Sequence, residues 1–175
     1  VNTAFGFRAL KTVTTGSNSA FGYNALTATA IGASNNTAIG NATLSSNTSG
    51  SANTAVGSSA LSGNIDANYN VAVGANALIN SSTGGHNVAI GYEAGSTNDT
   101  GQANILIGYQ INAPTDSTSN HLNIGGVITG DMSTGAIALA DGFTATTQAP
   151  NDNSTKLATT AYADAAGGGG GGDLL

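Results

Sequence analysis

A five-residue phrase ending in glycine recurs along this chain at nearly constant spacing, and that spacing restricts the fold more than any other feature. The phrase reads Asn2-Thr3-Ala4-Phe5-Gly6 at the start and Asn87-Val88-Ala89-Ile90-Gly91 later, with six further versions. Its glycines are Gly6, Gly22, Gly40, Gly57, Gly74, Gly91, Gly108 and Gly125, separated by 16, 18, 17, 17, 17, 17 and 17 residues. Its leading amides are Asn2, Asn18, Asn36, Asn53, Asn70, Asn87 and Asn104. A period of this kind marks a stacked architecture, in which one turn of chain cannot bury its own apolar side and leans on the next. The expectation is an all-β chain, a parallel β-roll or β-solenoid with a 17-residue repeat. Coils advancing by about 4.8 Å would place Gly6 and Gly125 roughly 34 Å apart along the stack.

Within each phrase the residue before the glycine is large and apolar: Phe5, Phe21, Ile39, Val56, Val73, Ile90, Ile107 and Ile124. This column is expected to face inward. Two residues earlier stand Thr3, Ser19, Thr37, Thr54, Val71, Val88, Ile105 and Leu122, on the same strand face, so the core is expected to thicken toward the C-terminus. The alternate face carries Ala4, Ala20, Ala38, Ala55, Ala72 and Ala89 before changing to Leu106 and Asn123, and is expected to admit another backbone closely. A second short strand is expected after each glycine, ending in Ala9-Leu10, Ala25-Leu26, Thr43-Leu44, Ala60-Leu61 and Ala77-Leu78, with its leucines closing the core. The glycine between strands fits a sharp bend with positive φ or no room for a side chain. Polar connections such as Ser45-Ser46-Asn47-Thr48-Ser49-Gly50 complete the coil. Ala30-Ile31-Gly32 imitates the phrase where the spacing lengthens to 18, and reads as loop.

The repeat ends near residue 128. Residues 129–150 read as a β connector or cap, with Ala136-Ile137-Ala138-Leu139 as its clearest strand. After Pro150, residues 151–166 fit a short helix capped by Ser154 or Thr155, with Leu157, Ala158, Ala161, Tyr162 and Ala165 on one face. Residues 167–175 read as a glycine-rich tether or truncated end, and Val1 enters directly at a repeat, as in a fragment or processed form.

Composition narrows the function classes. Charged residues make up 7% of the 175 residues, against about 25% in ordinary soluble proteins. Three cations, Arg8, Lys11 and Lys156, face nine carboxylates, which leaves nothing for a nucleic acid to release counterions onto. Ser/Asn/Gly richness and few aromatics also suit a disordered chain, but the strict period argues against disorder. Cysteine is absent, so neither a disulfide framework nor a thiolate metal site is available. No run of 18 apolar residues suggests membrane insertion, and no basic, apolar signal segment opens the chain.

Candidate sites are few. The recurring Asn residues would stack as a ladder of side-chain hydrogen bonds, a structural role rather than a ligand strip. His86 and His121 have no second ligand at metal spacing, so no metal or cofactor is expected. Asp66 and Glu93 offer a hydrolytic carboxylate pair in principle, but exposed loop carboxylates are the commoner outcome. No catalytic residue is assigned. The position after the glycine carries Phe7, Tyr23, Tyr92 and Tyr109, with subunit contact placed ahead of sugar stacking. An ice-binding surface loses its threonine array where Thr3, Thr37 and Thr54 give way to Val71, Val88 and Ile105.

The copies Asn70-Val71-Ala72-Val73-Gly74 and Asn87-Val88-Ala89-Ile90-Gly91 resemble the head repeats of YadA-type trimeric autotransporter adhesins. Over residues 1–128 that resemblance implies a left-handed parallel β-roll assembled as a homotrimer, with longer loops than the family's shorter coils. Thr155-Lys156-Leu157-Ala158-Thr159-Thr160-Ala161-Tyr162 is similar to a phrase of bacteriophage tail-fibre proteins, and His121-Leu122-Asn123-Ile124-Gly125 with Thr129-Gly130-Asp131 is similar to fibre segments that precede a C-terminal chaperone. Within these 175 residues neither an autotransporter's stalk and anchor nor a chaperone domain is read, a departure from both patterns. Together the resemblances imply a non-enzymatic structural and adhesive fibre of a virion, contacting itself, other tail proteins and a host glycan or protein receptor. The alternative is the head of a bacterial surface adhesin. A polysaccharide-degrading fibre stands third.

Overall fold

The computed structural model describes residues 1–12, 16–28 and 32–140, and Val1–Ala140 form one compact unit. The expected helix over 151–166, the later part of the connector, the glycine-rich tail, and Ala30 and Ile31 lie outside the described residues.

The described chain is a β-solenoid of about seven turns with 17-residue spacing. Each phrase forms one three-residue strand: β1 Thr3–Phe5, β2 Ser19–Phe21, β3 Thr37–Ile39, β4 Thr54–Val56, β5 Val71–Val73, β6 Val88–Ile90 and β7 Ile105–Ile107. They stack in parallel and in sequence order, so that Ala55 lies over Ala72 and Val73 over Ile90. β8 His121–Ile124 continues the stack, then β9 Ile128–Asp131 and β10 Ala136–Leu139 return antiparallel and finish the sheet. The expected connector strand at Ala136–Leu139 is therefore present. Its turn is held by Asp131, whose carboxylate accepts from the Ser133 hydroxyl at 2.6 Å and the Ser133 N–H at 2.8 Å. Those bonds hold the Asp131 carboxyl below the usual range.

The two strand faces are the reverse of the sequence expectation. From the second coil on, Ala20, Ala38, Ala55, Ala72 and Ala89 are fully buried, and Leu106 joins them. Phe5, Phe21, Ile39 and Ile90 are exposed, at 75%, 41%, 42% and 40%. Space inside the coil decides this. The leucines Leu26, Leu44, Leu61 and Leu78 enter from the opposite wall and are fully buried, as expected, and only a methyl group fits between them and the strand. Coil six tests the rule: Gly95 replaces the leucine, and Leu106 of the next strand fills the vacated space. A Cβ on Gly95 would lie 2.7 Å from Leu78 Cδ2 and 3.1 Å from Leu106 Cδ1. The growing apolarity of the Thr3-to-Ile105 column thus enriches the outer face, not the core.

The expected second strand is also absent. After the bend the chain turns through left-handed residues, Asn24 and Leu26 in one coil, Ser59 and Leu61 in another, with φ of 51° to 56°. Left-handed leucines are costly, on the order of 1–2 kcal/mol each. Coil-to-coil hydrogen bonds offset this, Leu44 N–H donating to Ala60 O at 3.1 Å and Leu61 N–H to Ala77 O at 3.0 Å. Each coil therefore has one strand and a hydrogen-bonded turn.

Candidate functional site

The recurring asparagines form a buried spine. Asn53 N–H donates to Asn36 Oδ1 at 3.0 Å, Asn70 N–H to Asn53 Oδ1 at 2.9 Å and Asn87 N–H to Asn70 Oδ1 at 2.9 Å. Each side-chain amide also donates to a carbonyl of the next coil's loop, Asn53 Nδ2 to Ala67 O at 2.8 Å and Asn70 Nδ2 to Gly84 O at 2.9 Å. Asn18, Asn36 and Asn104 occupy the same column, buried, and Asn2 accepts from Asn18 at its top. From Asn18 to Asn104 the side chains of this column are buried, so they present no ligand strip to solvent. The column's hydrogen bonds run from coil to coil within the roll.

A second polar column went unread in the sequence, although it repeats at the same interval: Asn47, Asn64, Ser81 and Asn98, all fully buried. Asn64 Nδ2 donates to Asn47 Oδ1 at 2.7 Å, and Asn98 Nδ2 to Gly101 O at 3.1 Å. Ser81 interrupts it, because its single hydroxyl proton goes to Gly84 O at 3.2 Å. Asn64 Oδ1 is left buried without a partner. An asparagine at 81 would supply two donors in a space that three neighbouring coils already give to that residue. Ser81→Asn is expected to stabilise the roll by about 1 kcal/mol, raising the thermal midpoint by roughly 2–4 °C. A lowered midpoint in a calorimetric scan would contradict this reading of the column.

The outer surface carries the features able to meet another molecule. One is the outer strand face, whose column from Phe5 to Ile107 is apolar throughout and whose second column passes from Thr3, Ser19, Thr37 and Thr54 to Val71, Val88 and Ile105. Beside it lie the aromatics expected from the sequence, in two stacks: Phe7 on Tyr23 at 5.4 Å and Tyr92 on Tyr109 at 5.5 Å between centroids. Glu93 accepts from Gln110 Nε2 at 2.8 Å, and this bond, with one from Tyr92, holds its carboxyl below the usual range. The same carboxylate raises the Tyr92 phenol. Asp66 lies in a corner loop, beside Tyr69 and His86 rather than Glu93, and nothing joins the two carboxylates in one cleft. His86 is not isolated: it stacks on Tyr69 at 4.9 Å. Seventeen residues separate those rings, so only the stacked register brings them together. Among the described residues no group of three His, Asp or Glu side chains is placed to hold a metal ion. Comparison with family models, curated proteins and solved structures finds no match to this chain.

Proposed function

We propose that the chain is a non-enzymatic structural and adhesive fibre segment of a virion, a phage tail fibre or appendage, built from three parallel rolls. The observation that carries this is the exposed apolar strand face. Contiguous apolar surface of this kind marks an interaction site, and identical copies cover it most simply, since the same face exists on each. Resemblance of the repeated phrase to trimeric adhesin heads supports three copies rather than two. The C-terminal phrase, outside the described residues, supports a tail fibre. A stiff rod of three chains would engage a host surface through several weak contacts at once, so that avidity replaces a deep pocket. The Asn-Val-Ala-Val-Gly and Asn-Val-Ala-Ile-Gly copies favour a second reading, the head of a bacterial surface adhesin.

Sedimentation equilibrium of the purified chain tests the assembly. The expected mass is close to three times the 16.9 kDa chain. A stable, folded monomer at micromolar concentration would overturn it. Antibody against the roll, labelling tail appendages of particles or the surface of cells, separates the two settings.

A further inference from the structure

Two corners in the middle of the roll carry rings where their neighbours carry small side chains. The corner before the Asn spine is Asn35, Ala52, Tyr69, His86, Ala103 and Asn120 in successive coils, each left-handed, with φ from 56° to 63°. Backbone bonds fix the column: Tyr69 N–H donates to Ser51 O at 3.1 Å, His86 N–H to Asn68 O at 3.0 Å and Ala103 N–H to Gly85 O at 3.0 Å. The left-handed conformation is shared by the whole column and by the corner leucines, so it belongs to the coil, and the rings alone set these two corners apart. Ala52 and Ala103, one coil to either side, put only a methyl group next to each end of the ring pair.

The rings border a depression of about 170 Å³ whose other walls include Asp66, Asn68, Thr83 and Gln102. Asn68 is used by the fold, accepting from Ser51 N–H at 2.7 Å and donating to Asp66 O at 3.1 Å. The Asp66 carboxylate, the Thr83 hydroxyl, the Gln102 amide and the polar atoms of both rings make no side-chain hydrogen bond to another described residue. An amphipathic ring pair bordered by unused donors and acceptors matches a ligand with one apolar face and a rim of hydroxyls. The Tyr92–Tyr109 stack lacks this, because its neighbours Glu93 and Gln110 already bind each other.

We propose that Tyr69 and His86 form a binding site for an uncharged pyranose ring of a surface polysaccharide. Because the stacked rings cover each other's inner faces, the sugar's C–H face lies on the outer face of one of them, and its hydroxyls meet Asp66, Thr83 and Gln102. Asp66 is the one carboxylate in the lining and no Lys or Arg accompanies it, which disfavours acidic sugars. The depression is smaller than the roughly 300–1,000 Å³ of drug-sized pockets, so it takes one ring, with dissociation constants on the order of 1 mM. Repetition on three chains would raise that avidity. The site gives the attachment reading a ligand class and rests on that reading only for its biological setting.

His86 and His121 are the only histidines, so their ring signals are readily separated by NMR. The full chain is titrated with maltotriose, cellotriose and chitotriose, and with 3′-sialyllactose as the acidic comparison, to about 10 mM. At least one neutral trisaccharide is expected to shift the His86 signal while His121 stays fixed. Tyr69→Ala, which copies the native corners at Ala52 and Ala103, should abolish that shift, and Tyr92→Ala should keep it. Silence from all three neutral sugars, a response to sialyllactose alone, or an undiminished shift in Tyr69→Ala would overturn the proposal. Sedimentation of the same sample reads assembly separately, so failure of the sugar site is distinguishable from failure of the trimer.

Discussion

Gly57→Ala is expected to destabilise the roll by about 3–5 kcal/mol, a large effect for one methyl group. Two costs combine. The Gly57 φ of +133° lies where L-residues are strained, on the order of 1–3 kcal/mol. The added Cβ would also stand 2.5 Å from the Gly74 carbonyl oxygen and 2.6 Å from its carbon. Those are backbone atoms of the next coil and cannot rotate away, so relief requires the stack to part, an overpacking cost of roughly 1–3 kcal/mol more. Gly125→Ala is the matched control. That residue also has positive φ, 59°, but an added methyl would meet nothing within 4 Å, so about 1 kcal/mol is expected. Urea unfolding of the two variants checks the difference; equal losses would mean that the glycine column serves only the bend and not the contact between coils.

The period, the parallel stack, the glycine bend and the Asn spine were legible because each makes a chemical demand at a fixed position. Only glycine fits the contact at Gly57 and Gly74. An Asn at 53, 70 or 87 has both the acceptor and the donor that its column needs. Face assignment failed for a physical reason. A strand such as Thr54-Ala55-Val56 alternates equally well either way round, and the usual preference for large residues inside does not hold where Leu61 and Leu78 already fill the coil. The strand after the glycine failed because left-handed Ser59 and Leu61 carry no local signal comparable to glycine. The compensation of Gly95 by Leu106, and the pairing of Tyr69 with His86, depend on residues 11 and 17 positions apart that meet only across coils.

The outward apolar surface depends on the reversed strand faces. Adjacent residues of β5 separate the alternatives. Ala72 is fully buried among the alanines and leucines, whereas the Val73 side chain belongs to the outer face. Ala72→Asp would place a carboxylate in the core with no cation to pair it, a cost of about 3–5 kcal/mol, against a total stability on the order of 5–15 kcal/mol. Val73→Asp would place the same charge on the outer face. Far-ultraviolet circular dichroism and sedimentation velocity, run on both variants, give the most direct test. In urea, Ala72→Asp is expected to lose its β signal well below the midpoint of Val73→Asp, which keeps its β structure and sediments as a lighter species. A Val73→Asp less stable than Ala72→Asp would contradict the reversed faces.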